Sequence, residues 1–211
     1  MTAPRTMRRA VSDAEKGKRR DEILAAAKKV FSKKGFASTT IADVAKAAHL
    51  SYGSIYWYFD SKEALFHELM DGEERALREA IAARVATLGA SAGAQSGEAL
   101  FRAAVIGTFE FFERDKAMVR LLFRDSHSLG GRFERHLGGI YERFIDDIEA
   151  SIVSAQQRGD IVDAPARMIA FSVAALIGQI ALRRLTTDDG LDAAVVAEFV
   201  VSLVLDGLRP R

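Results

Sequence analysis

The chain is predicted to be all-α, with about nine helices, and three observations carry that prediction. Apolar residues recur at helical spacing almost throughout the 211 residues, and no alternating strand pattern interrupts them. Residues that start or stop helices stand at matching intervals, with Thr40, Ser51, Ser61 and Pro165 as starts and Gly35 as a stop. The hydrophobic fraction is 49%, enough for a chain of this length to bury a sizeable core.

The elements follow in order. Ile23, Leu24, Ala27, Val30 and Phe31 form one face of a first helix that ends at Gly35. In "STTIADVAKAAHLS", Thr40 caps a second helix of about two turns, Asp43 favours its positive end, and Ile41, Val44, Ala45 and Ala48 face inward. "HLS" is a tight turn, Ser51 caps a third helix, and Ile55 with Phe59 is its inward pair. Asp60 or Ser61 then caps a fourth helix that continues to about residue 88, with Leu65, Leu69, Leu77, Ile81 and Val85 on its inner side. After the small-residue loop 89–97 come helices over about 98–114 and 116–126, then a Gly130–Gly131 break and a long helix over about 132–158. A final pair, about 165–185 and 191–208, is split by "TTDDG".

Two short helices joined by a tight turn, behind a first helix, are the pattern of a helix-turn-helix. In its third helix Tyr52, Gly53, Tyr56 and Trp57 lie largely opposite Ile55 and Phe59, so most of the rings point outward. Tyr58 is inward by period but belongs to the same aromatic run. A helix that buries aliphatic residues and presents aromatics with a glycine suits a grooved partner better than a core. Charge supports this: residues 1–20 carry seven Arg or Lys against Asp13 and Glu15, a net +5, leaving −4 for the remainder of a chain whose total is +1. Residues 1–18 read as a flexible basic arm, with Arg19 and Arg20 following it, an electrostatic footprint for phosphate.

Residues 20–70, "RDEILAAAKKVFSKKGFASTTIADVAKAAHLSYGSIYWYFDSKEALFHELM", resemble the DNA-binding domain of the TetR family of bacterial transcriptional repressors. The resemblance is carried by Phe31 and Gly35, Thr40 and Ile41, Val44 and Ala45, Ser51, Gly53, the run Tyr56 to Phe59, and Ser61, Lys62, Glu63 and Leu65. It covers about a quarter of the chain. It implies a DNA-binding domain over 19–66 and a larger helical ligand-binding and dimerisation domain over 67–211. It also implies a homodimer on a palindromic double-stranded operator, released when a small-molecule effector enters the larger domain. Thr40, Tyr56 and Lys62 match positions that commonly touch the DNA backbone in that family.

The chemistry of these residues is consistent with such roles. Hydroxyls, helix-start amides and lysines hold phosphates without reading sequence, which suits Thr40, Tyr56 and Lys62, with Ser38, Thr39 and Ser51 as further candidates. Gly53 permits close backbone approach. The third helix has no Arg, Lys, Asn or Gln to make bidentate base contacts, so Tyr52, Ser54 and Trp57 remain, and shape with half-site spacing is expected to supply much of the specificity.

In the larger domain, Phe109, Phe112, Met118, Leu122, Phe123, Tyr141 and Phe144 are the expected lining of an apolar cavity. Ala174, Gly178 and Ala181 form a small-residue stripe beside Phe171; with Phe199 and Leu203 of the last helix they are the expected four-helix dimer interface. Asp146, Asp147 and Glu149 read as solvated helix-face carboxylates.

Other classes lack residues. Without cysteine there is no disulfide framework or thiolate site, and His127 and His136 form no zinc-binding spacing. No nucleophile elbow, phosphate-cradling glycine loop or paired acid and base is present, so no enzyme, cofactor or metal is expected. The apolar stretch 168–182 is shorter than the ~20 residues of a bilayer span, and a cytoplasmic protein without a membrane partner is expected. The alternative to a ligand-responsive repressor is an architectural or division-linked DNA-binding protein of the same fold without an effector.

Overall fold

The computed structural model describes residues 5–89, 96–124 and 131–208, and these contain nine α-helices and no strand. They are α1 (Arg5–Lys34), α2 (Ile41–Ala47), α3 (Tyr52–Tyr56), α4 (Lys62–Gly89), α5 (Gly97–Arg114), α6 (Lys116–Val119), α7 (Gly131–Gln157), α8 (Ala166–Arg183) and α9 (Ala193–Leu208). Most of the expected loop 89–97, together with Gly130 and His127, lies outside the described residues. The chain divides into two compact units, Met1–Asp71 and Gly72–Arg211, so the boundary falls five residues later than the expected 66/67 division. Helix α4 supplies residues to both.

The basic arm requires a correction. Helix α1 begins at Arg5, so residues 5–18, expected to be flexible, are helical. The segment after Pro4 contains no further proline and is rich in Ala, Arg, Lys and Glu, so local propensity permits the extension once residues 23–34 are anchored by packing.

In the first unit, Ile23, Ala27 and Phe31 are fully buried along one stripe of α1. Gly35 takes φ 78°, which a glycine adopts freely, and its N–H donates to the Phe31 carbonyl at 2.8 Å, ending the helix. The rings of Phe31, Phe36 and Phe66 meet at centroid separations of 5.0 to 5.6 Å and bring the start of α4 onto α1. Thr40 and Asp43 form a reciprocal capping box on α2. Ser51 caps α3 through the Ser54 amide, and Ser61 caps α4 through the Ala64 amide. The turn between α2 and α3 contains His49 at φ 56°, the left-handed region.

In the second unit, α5 packs against α9 and α7 against α8. Ile145, Ala170 and Ala174 form a buried cluster with Tyr141, Phe144 and Ile148 against it. Alanines on α8 let α7 approach closely, which fixes the direction of the larger α7 side chains. After α6 the backbone widens into a π-helical turn over Arg120–Arg124, an arrangement frequent at functional sites because it re-aims side chains. Arg184 ties the α8–α9 connection to α5, pairing with Glu113 and Asp189 and donating to the Leu191 carbonyl at 2.7 Å.

Candidate functional site

The helix-turn-helix places its exposed groups on one short element. Helix α3 is held by its Ser51 cap and by Ile55, fully buried, with Phe59 buried just beyond it. That anchoring leaves Tyr52, Gly53 and Tyr56 exposed, and Trp57, the residue after the helix, is 89% exposed. The Tyr52 and Tyr56 rings meet edge to face at 5.2 Å and their hydroxyls are 3.1 Å apart. The hydrogen bond to Tyr52 raises the pKa of Tyr56, so the phenol remains protonated and able to donate. A Cβ at Gly53 would meet no atom within 4 Å, so internal packing does not account for the glycine. Ser38, Thr40 and Ser51 are exposed, while Ser54 is half-buried and its hydroxyl lies 2.6 Å from that of Ser51.

Three expected contact residues are placed differently. Arg20 forms a two-pronged ion pair with Glu68, donates to the Tyr58 carbonyl at 2.6 Å, and stacks over the Phe59 ring at 4.4 Å. Its guanidinium therefore ties α1 to α4 and to the end of the α3 segment instead of extending toward a phosphate. Thr39 is 1% exposed and donates to the Gly35 carbonyl at 2.7 Å, a loop lock that no external group reaches. Lys62 donates to the carbonyls of Phe36 and Thr39 at 3.0 and 2.8 Å and lies over the Phe36 ring. An ammonium has three donors, so the loop engages two. Arg19 is exposed and pairs with Glu22, and Tyr58 is half-buried. Asp43, which the sequence presents only as a charge favouring the positive end of α2, also accepts from Lys34 at 2.6 Å. That bond foremost, and then the Thr40 amide and hydroxyl, hold its pKa at about 2.

The second unit contains a partly open cavity of about 1740 Å³. Of the expected lining, Phe112, Met118, Leu122, Phe123, Tyr141 and Phe144 border it, whereas Phe109 does not and is buried at 1% exposure. On α5 the period turns Phe109 away from the Phe112 and Thr108 face. The π-helical turn carries Leu122 and Phe123 to the wall. Burial raises the pKa of Tyr141, so that wall residue is a neutral phenol.

The small-residue stripe also needs correction. Ala174, Gly178 and Ala181 are buried within the single chain, and a Cβ at Gly178 would come within 2.8 Å of the Phe123 ring. Close packing is indeed their role, but the neighbour is internal. The apolar residues left outward on these helices are Met168, Phe171, Val195, Phe199 and Leu203, with Phe199 64% exposed.

Of the charged wall residues, only Asp147 was singled out from the sequence, as a solvated carboxylate. Glu74 accepts from Arg143 Nε at 2.8 Å and from Arg78 Nε at 3.3 Å; the Arg143 bond foremost lowers its pKa. Arg78 also pairs with Asp147 at 2.5 Å, so Asp147 is not merely solvated; Asp146 and Glu149 likewise pair with Arg167. The available signal was Glu74 and Arg78, and Arg143 and Asp147, each at i, i+4 on a helix. Such spacing is common on solvated faces, so it does not reveal that the two pairs face each other. Among the described residues, no group of three or more His, Asp or Glu side chains is placed to hold a metal ion.

Residues 23–69 match the family described as bacterial regulatory proteins, tetR family. This segment is a TetR-family domain. The chain is 44% identical over 69 residues to the HTH-type transcriptional regulator YfiR of Bacillus subtilis, a match spanning 32% of the chain and 34% of YfiR. It thus spans about a third of that curated relative's length. Its fold is similar to the fatty acid degradation regulator FadR of Bacillus halodurans, with a TM-score of 0.79 at 18% identity over 92% of this chain and 97% of that one. It is also similar to FadR of Bacillus subtilis in complex with stearoyl-CoA, with a TM-score of 0.77 at 16% identity over 88% and 97%.

Proposed function

We propose that this TetR-family protein is a cytoplasmic, ligand-responsive transcriptional repressor. It binds a palindromic operator as a homodimer and is released by a largely apolar, elongated small molecule. The observation that carries the reading is the large, mainly apolar cavity in the same chain as an exposed aromatic reading helix. At about 1740 Å³ it exceeds the ~300 to 1,000 Å³ of ordinary small-molecule pockets, which favours a long ligand over a compact one. The FadR whose complex contains stearoyl-CoA has the same fold, which supports a long-chain acyl compound as the first class to test.

The outward apolar residues of α8 and α9 support a second copy as their cover. Helix α8, Ala166–Arg183, is long and apolar enough to cross a membrane by length and composition, and a third of it is buried within the chain. Phe171, Phe199 and Leu203 are on the uncovered side, and pairing α8 and α9 with their copies would bury them. For two α3 helices to enter successive major grooves, their separation must be near one helical repeat, ~34 to 36 Å. Helix α4 carries residues of both units, so a ligand that shifts its cavity-lining turns would alter that separation. A coupling of about 1 to 3 kcal/mol is typical of such linkage.

The test is operator selection from random DNA with the purified chain, followed by release assays with long-chain acyl compounds and cell extracts. Binding to one palindrome with release by such a compound is the expected result. Leu122→Trp, which projects a larger ring into the cavity, should abolish release while operator binding persists. Occupancy of many unrelated DNA sites with no release by any extract would replace this reading with an architectural role.

A further inference from the structure

Resting on the reading of the cavity as an effector site, we infer that Arg78, backed by Glu74 and Arg143, receives a carboxylate at the end of the effector's hydrocarbon chain, in exchange for Asp147. Glu74, Arg78 and Asp147 all border the cavity. They are flanked there by Leu77 and Ile81 on α4 and by Phe144 and Ile148 on α7, so an apolar tail has surface to lie on directly beside the charges.

The asymmetry of the cluster selects the sign of the ligand. Glu74 is 14% exposed and accepts from both arginines, whereas Asp147 is 55% exposed and, among the described residues, pairs with Arg78 alone. Arg78 holds two carboxylates at once. An entering carboxylate needs to displace only the Asp147 side chain, which turns to water while Arg78 stays paired, so no buried charge is left without a counterion. An entering cation can approach Asp147 only beside the Arg78 guanidinium, whose like charge offsets the attraction. A neutral head group returns too little to displace Asp147, so it leaves the Arg78–Asp147 pair in place.

The exchange also has a mechanical consequence. Arg78–Asp147 joins α4 to α7, as does Glu74–Arg143. Replacing Asp147 by a ligand carboxylate removes the first link and retains the second, so the effector loosens α4 from α7 on one side only. A ligand held mainly by its chain would be sensed at the cavity without cutting this link.

Decanoate, decanol and decylamine, titrated calorimetrically into the full-length protein, distinguish these alternatives. Decanoate should bind about tenfold tighter than either of the others, the ratio expected for one charge-assisted hydrogen-bonded pair. Arg78→Met should remove that preference, and Arg78→Lys should restore part of it. Asp147→Asn, which removes the internal competitor but leaves a similar shape, should tighten decanoate several-fold and leave decanol unchanged. A contact that only stabilised the fold would not produce that gain. Equal binding of all three compounds by the unmodified protein, reduced by Leu122→Trp, would overturn the carboxylate assignment while keeping the cavity as the site. Binding of none, or binding indifferent to Leu122→Trp, would overturn the cavity reading itself.

Discussion

The hydroxyls of Tyr52 and Tyr56 lie 3.1 Å apart, one turn from each other on the exposed side of α3. Two phenols joined in this way share one proton between their oxygens and keep the other for an external acceptor. In the free chain Tyr56 donates to Tyr52; a phosphate that takes the Tyr56 proton turns the pair over, so that Tyr52 donates to Tyr56 and polarises that proton toward the phosphate. Tyr56→Phe should weaken binding to all DNA sequences alike, by about tenfold, the worth of one hydrogen bond to a charged group. Tyr52→Phe should weaken it less, and should have almost no further effect once Tyr56 is Phe. Fluorescence anisotropy on a double-mutant cycle measures this coupling; strict additivity would show that the two rings act separately.

Arg20 and Lys62 are both basic residues near the reading helix, but their partners predict different phenotypes. Arg20→Met leaves Glu68 without the guanidinium and should lower the unfolding temperature while the salt dependence of DNA binding stays unchanged. Lys62→Ala leaves two carbonyls of the α1–α2 connection without their donor, at a cost of about 1 to 3 kcal/mol in stability. If the third donor of Lys62 meets a phosphate, the slope of log affinity against log salt also falls by about 1. Thermal unfolding and salt titrations on both variants separate the two roles.

Gly178 and Phe123 bear on the proposed dimer. A Cβ 2.8 Å from the Phe123 ring forces that ring aside, so Gly178→Ala should destabilise the subunit by about 1 to 3 kcal/mol. Phe123→Leu in the same chain should recover much of the loss. Light scattering should find the Gly178→Ala protein still dimeric, whereas Phe199→Glu, on the outward apolar side, should yield monomers. Monomers from Gly178→Ala, or dimers from Phe199→Glu, would move the interface elsewhere.

The capping carboxylate predicts an acid limb. The pKa of Asp43 is held at about 2 in the folded chain, below its ordinary value, so its contribution is fully present above the unfolded Asp value of ~3.9 and is lost as pH falls toward about 2. Asp43→Asn should remove that component of acid unfolding. The check is a comparison of denaturation midpoints for both proteins at pH values on either side of this window. An identical acid dependence would mean the Lys34 and Thr40 bonds do not persist in solution.

His49 tests the turn between α2 and α3. At φ 56° a β-branched side chain is strained, so His49→Val should cost roughly 1 kcal/mol or more, and His49→Gly should be tolerated. Urea unfolding of the two variants gives the comparison, and equal stabilities would show that the turn can relax to another conformation.

The nine helices, the caps at Thr40, Ser51 and Ser61, and the exposure of Tyr52, Tyr56 and Trp57 were determined by residues within a few positions of one another. Capping and the helical period act over one or two turns of chain, so they are legible in order along the sequence. What Arg20 touches was decided by Glu68, 48 positions away, and what Gly178 touches was decided by Phe123 on a π-helical turn. The same holds for Glu74 and Arg143, 69 positions apart, whose pairing exists only because folding brings one stretch of α4 within side-chain reach of α7. A basic residue near a reading helix and a small residue on an apolar helix each have several partners of suitable chemistry. Only the packing of distant helices, driven by burial that is not specific to any one pair, selects which partner lies within reach.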